Sequence, residues 1–142
     1  MVDPKLSRHY LAMLLPGPNA QAETRYAAKI LADLLGDDEG SRLYWALVDP
    51  GLADEADFSH LPHDPAGSYL AFASCDPGRW AQVEMVLLQT LDAFVNDIDA
   101  AEIERAKNKI ATSGTLAGEN PGGRMRGRGS QWAYLGEYLP LQ

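Results

Sequence analysis

Cysteine is nearly absent. Cys75 is the only one in 142 residues, so no internal disulfide can form and a cysteine-built zinc site is excluded. A lone thiol followed by Asp76-Pro77 reads as a small buried hydrophobe at a strand end. Positive charge is scarce too: 12 Lys and Arg face 20 Asp and Glu, a net charge of −8. A nucleic-acid partner is not expected, because displacing counterions from phosphate needs a basic surface. Long apolar runs are missing. The longest, Tyr10 to Leu15 and Met85 to Leu88, fall far below the roughly 20 residues that cross a bilayer, so no membrane span is expected. The start, Met-Val-Asp-Pro-Lys, shows no secretory leader.

Catalytic machinery is equally thin. His60 and His63 stand three apart, but Pro62 lies between them and no third His or Cys is placed to complete a zinc site, so both read as loop residues. His9 reads as a strand-end residue. There is no Gly-x-Ser-x-Gly elbow and no Ser-x-x-Lys helix start. The glycine-rich stretch Pro121 to Gly129 lacks the Gly-Lys-Ser/Thr ending of a phosphate-cradling loop. Its arginines, Arg124, Arg126 and Arg128, read as balancing acidic neighbours. Glu102 and Glu104 read as part of a solvated helix face. No catalytic residue, metal ligand or cofactor is expected in this chain.

What is present is regular structure. His9 to Leu15 reads as a buried strand stopped by Pro16-Gly17-Pro18. Gln21 to Leu35 reads as a helix with Tyr26, Ala27, Ile30, Leu31, Leu34 and Leu35 on one face, ended by Gly36 as a left-handed cap. Asp37-Asp38-Glu39 reads as a loop. Ser41 is placed to cap a second helix, with Leu43, Tyr44 and Leu47 inward, which Asp49-Pro50-Gly51 breaks. Leu52 to Gly67 reads as a strand or loop with a turn at His63-Asp64-Pro65. Ser68 to Ser74 alternates as a strand does. Asp76-Pro77 is expected to start a helix reaching about Asn96, with Val83, Val86, Leu87, Thr90, Leu91 and Phe94 inward. Asp99 to Glu102 resembles a capping box for a helix to about Leu116, with Ile103, Ala106, Lys107 and Ile110 along its stripe. Trp132, Tyr134, Tyr138 and Leu139 point to a final helix.

Several runs in order resemble the non-catalytic domains of the pitrilysin/insulinase family of zinc peptidases. They are Leu34-Leu-Gly36, then Gly40-Ser-Arg-Leu-Tyr-Trp-Ala-Leu47, then Gly51-Leu-Ala53. Pro16-Gly-Pro18 resembles the proline-rich end of the preceding strand, and Asp99 to Lys107 the late, acid-capped helix. The resemblance spans most of residues 9 to 117. The catalytic half of such enzymes carries His-x-x-Glu-His, absent here, so the similarity is to the other half. The resemblance implies zinc only in a catalytic half elsewhere. It also implies that this half helps to enclose a peptide substrate, commonly supplying an arginine and a tyrosine to the cleft. Val48 and Asp54 stand at those two places. Valine cannot supply a guanidinium fork, and a carboxylate would repel a developing oxyanion.

The expectation is an α+β fold: a small, mostly antiparallel sheet covered on one face by helices, with residues 1–142 forming a single, partial domain of this type. The expected partners are a catalytic zinc-binding half, in the same polypeptide or a paired subunit, and a peptide substrate. Alternatives are a non-enzymatic structural or assembly subunit derived from the same family, and an unrelated ligand-binding domain.

Overall fold

The computed structural model describes residues 7–37 and 40–136. Asp38 and Glu39 of the acidic loop, and Tyr138 and Leu139 of the tail, lie outside them. Strands β1 (His9–Gly17), β2 (Glu55–Leu61) and β3 (Gly67–Cys75) form an antiparallel sheet in the order β1-β3-β2. β3 is paired on both sides: His9 lies opposite Cys75 and Gly17 opposite Gly67, while Glu55 lies opposite Ser74 and Leu61 opposite Ser68. Because side chains alternate along a strand, this register sorts them into two faces. Leu11, Met13 and Leu15 share the core face with Ala56, Phe58, Ala71, Ala73 and Cys75. Tyr10, Leu14, Leu70 and Phe72 lie on the other face, where Tyr10 stacks on Phe72 at 6.2 Å.

The small residues of β3 leave room for the helices. Leu43 and Leu47 are wholly buried above them, with Val83, Leu87 and Phe94 of α2 (Trp80–Phe94) completing the core. Ser41 caps the second helix as its position implies, its hydroxyl accepting from the Tyr44 N–H at 3.2 Å. The helix then widens into a π-helical turn, Tyr44–Val48, in which the Asp49 N–H donates to the Tyr44 carbonyl at 2.9 Å. Gly51 ends the segment in the left-handed region, at φ 69°.

Helix α1 (Arg25–Gly36) differs from its hydropathy reading. Ala28, Ala32, Leu35 and Gly36 are buried, whereas Tyr26 is 58% exposed. Small residues face β2 because the two elements meet closely. Gly36 bridges Phe58, and a Cβ at Gly36 would sit 2.0 Å from the Phe58 nitrogen. Gly36 is thus required by close approach and has no positive φ. Asp76 does not cap α2 either. Its carboxylate pairs with Arg8, and the Arg79 N–H closes a turn onto the Asp76 carbonyl at 2.9 Å, so the helix begins at Trp80.

Helix α3 (Ala100–Glu119) carries the expected capping box, with Asp99 accepting from Ala101 N–H at 3.2 Å and Glu102 accepting from Asp99 N–H at 3.3 Å. It packs on α1, not directly on the sheet, forming a further layer. Helix α4 (Pro121–Leu135) packs on α3 and absorbs the whole glycine-rich stretch, with Asn120 as N-cap and Pro121 at its first turn. Arg42 ties these pieces together: it reaches the Asp97 carboxylate at 3.1 Å and Glu102 at 2.7 Å, with its guanidinium 5.6 Å from the Phe94 ring.

Two outcomes follow from these contacts. Gly36→Ala should destabilise by about 1–3 kcal/mol, the usual cost of forcing an atom into a filled space, seen as a lower urea midpoint. The Arg42 side-chain hydrogen bond holds the Glu102 carboxyl below its usual range. A depressed carboxylate stabilises the fold above the unfolded pKa and loses that contribution as pH falls through the folded pKa. Urea titrations should therefore show wild type more stable than Glu102→Gln at pH 7, with the gap closing at acidic pH.

Candidate functional site

Val48, at the end of the π-helical turn, and Asp54, immediately before β2, open onto the same shallow cleft. The connection between them is short and held at both ends. Leu52 and Ala53 N–H groups both donate to the Leu47 carbonyl at 2.9 Å, and the Asp54 N–H donates to Ser74 O at 2.8 Å. Asp54 is therefore fixed to β3 through its backbone. Its carboxylate pairs with Arg8 at 3.1 Å, and Arg8 also pairs with Asp76.

Further carboxylates line this cleft: Asp37, Glu55 and Asp57. Asp37 is paired with Lys109 at 2.7 Å. Burial pushes the Asp57 carboxyl above its ordinary pKa, a hydrogen bond from Ser59 opposes this, and Glu55 and Asp37 add smaller repulsion. Tyr44 also lines the cleft, one helical step before Val48. Sequence reading placed Tyr44 inward; its four-residue spacing from Val48 was the signal that the two share a side. A phenol is thus present in the cleft, supplied by the helix and not by the strand.

This arrangement has acceptors but no activated nucleophile. The carboxylates favour cationic or N–H groups and disfavour an oxyanion. The other residues singled out in the sequence lie elsewhere. His60 contacts the Pro18 carbonyl at 2.9 Å and leans on Tyr69, whereas His9 stacks on Trp80 at 5.6 Å. His63 is exposed on the β2–β3 connection. Among the described residues no group of three or more His, Cys, Asp or Glu is arranged to hold a metal ion. Cys75 is buried, and burial raises its thiol pKa, which keeps it unreactive. Glu102 is occupied by Arg42, Glu104 by Lys107, and the three arginines of the glycine-rich stretch are exposed on α4. No helix among the described residues is long and apolar enough to cross a membrane.

A three-stranded antiparallel sheet with helices packed against it is an α+β arrangement. The family profile described as the Peptidase M16 inactive domain matches residues 1–110. The chain belongs to that family, as the ordered Ser-Arg-Leu and Gly-Leu-Ala runs imply.

Solved structures share the fold. The inactive peptidase domain of a Bordetella parapertussis protein matches with a TM-score of 0.78 at 23% identity, covering 89% of this chain and 70% of that one. A protease from Helicobacter pylori matches with a TM-score of 0.85 at 18% identity, over 95% of this chain and 33% of that one. A chain of complex III from Candida albicans matches with a TM-score of 0.84 at 15% identity, over 98% and 36% respectively. A search of curated proteins gives no match.

The raised Asp57 pKa gives a signed expectation. When the folded pKa lies above the unfolded one, stability is lost as pH rises through that interval. Asp57→Asn should therefore raise the thermal midpoint at pH 7 and leave it little changed near pH 3, provided the Ser59 contact is kept; calorimetry at the two pH values measures this.

Proposed function

We propose that this chain is the non-catalytic half of a zinc metallopeptidase-like protein, helping to enclose a peptide that a separate catalytic half would cleave. The observation that carries this reading is the convergence of Val48 and Asp54, from a helix end and a strand start, on one side of one cleft. Family membership supports it. Zinc chemistry belongs to the catalytic half, as a Lewis acid and a source of activated water. The role of this chain is to bind and orient, with Tyr44 as a donor and the carboxylates as acceptors for peptide N–H groups.

A second reading, a structural or assembly subunit, is favoured by the substitutions themselves. Val48 offers no charge, and Asp54 is already engaged by Arg8. The fold shared with a chain of complex III adds support.

Reconstitution with a catalytic, zinc-bearing half separates the two. Val48→Arg with Asp54→Tyr would restore a guanidinium and a phenol to the cleft. On the first reading this double variant should raise hydrolysis of a quenched fluorescent peptide severalfold over wild type. That is far below the 10²–10³ or so that one ideally aimed donor is worth, because a misplacement of about 1 Å already costs a hundredfold. No change in turnover, with the pair still assembled, would leave the assembly reading. Hydrolysis by the wild-type chain alone would overturn both.

A further inference from the structure

Helix α3 is held against α1 by charge more than by packing. Among its described residues Ala106 is the one buried side chain, with Ile103 and Ile110 half-buried beside it. Open clefts of about 200 and 450 Å³ lie between the two helices, and Asp33, Asp37 and Lys109 border both. An interface hollowed in this way loses little apolar cover when it parts. Charged ties span it. Lys109 meets Asp37 at 2.7 Å, both side chains partly exposed. Arg42 meets Glu102 at 2.7 Å in a more enclosed place, and it also donates to the Asp97 carboxylate, at 3.1 Å, and to the Asp97 carbonyl. We propose that α3 lifts off α1 as an intact helix carrying α4, hinging at residues 95–99 on the Arg42 contacts, with the Lys109–Asp37 pair as its latch.

The hinge and the latch are set apart along α3. Residues 95–99 are exposed and belong to neither helix; the Asn96 and Asp97 N–H groups close turns onto Ala93 and Phe94 at 3.2 and 3.4 Å. The capping box is made between Asp99 and α3's own first turn, so the helix keeps its start when it moves. At 1.5 Å per residue, Glu102 lies about 4.5 Å along the axis from Asp99 and Lys109 about 15 Å. A small rotation at the hinge therefore parts Lys109 from Asp37 while it barely displaces Glu102. Helix α4 packs on α3 and travels with it, and the exposed Gln21–Tyr134 hydrogen bond, at 3.2 Å, is a further tie that the motion releases. The latch ends in the cleft, where Asp37 lies beside Glu55 and Asp57. Lifting α3 withdraws an ammonium from that wall, leaving it more acidic. This consequence for peptide binding rests on the functional reading above; the motion itself does not.

Electron–electron spin distances in the full chain test this. Cys75→Ala removes the native thiol, and nitroxides are placed at the exposed positions Ala27→Cys on α1 and Ala111→Cys on α3, with Ala27→Cys and Gln89→Cys on α2 as the reference pair. The expected result is two α1–α3 distances, short and long, beside a single α1–α2 distance. Lys109→Met should enlarge the long population severalfold, and Lys109→Arg should leave it as in wild type. About 1 M salt, where the Debye length is about 3 Å, should shift wild type as Lys109→Met does and add little to that variant. Far-UV circular dichroism should stay that of wild type throughout. A single short α1–α3 distance in wild type, in salt and in Lys109→Met overturns the proposal. So does a long distance that appears only with loss of helical dichroism, or one accompanied by an equal spread between α1 and α2. Because no peptide is present, any of these results removes the hinge and leaves the reading of the cleft standing.

Discussion

The separation between α1 and β2 is set by an atom that glycine lacks. At Gly36 the helix backbone comes close enough to bridge Phe58, and any side chain there would overlap the strand. That approach draws small residues, Ala28 and Ala32, onto the buried side of α1 and leaves Leu34 facing α3. It also places Asp37, one residue later, beside Glu55 and Asp57 in the cleft. The close packing and the acidic lining thus have one origin: a helix that ends against a strand must put its next residues at that strand's start.

Charge pairing then decides what the cleft presents. Arg8 bridges Asp54 and Asp76, linking the approach to β2 with the turn after β3. Lys109 reaches from α3 to Asp37. These pairs are partly exposed, so each stabilises the fold modestly, but together they turn several acids into structural acceptors. A phenol at position 54 would give up the bond to Arg8. Asp54 is therefore part of how the start of β1 is anchored.

Long-period signals were legible in the sequence. The inward positions of α2, with Val83, Leu87 and Phe94 buried, follow from spacing alone, and so do the capping box at Asp99 and the strands at His9 and Ser68. Local chemistry that depends on distant partners was not. Asp76 has the right neighbours for a cap, yet Arg8, 68 residues away, claims its carboxylate. Gly36 sits where a left-handed cap belongs, yet its reason is Phe58. Val48 and Asp54 could be paired by family pattern, whereas Tyr44, four residues before Val48 and read from the sequence as inward, lines the same cleft from the π-helical turn.

Helix α4 illustrates the difference between forming a helix and protecting one. Four of its fifteen residues are glycine, and none of the fifteen is buried. Each interior glycine costs about 1 kcal/mol relative to alanine, so little in the segment itself favours the helical state. Its support includes its packing on α3, the Asn120 cap, the left-handed Gly136, and the Gln21 amide donating to the Tyr134 carbonyl at 3.2 Å. Such a helix, with no buried side chain of its own, can open locally to water while the sheet and α2 remain folded.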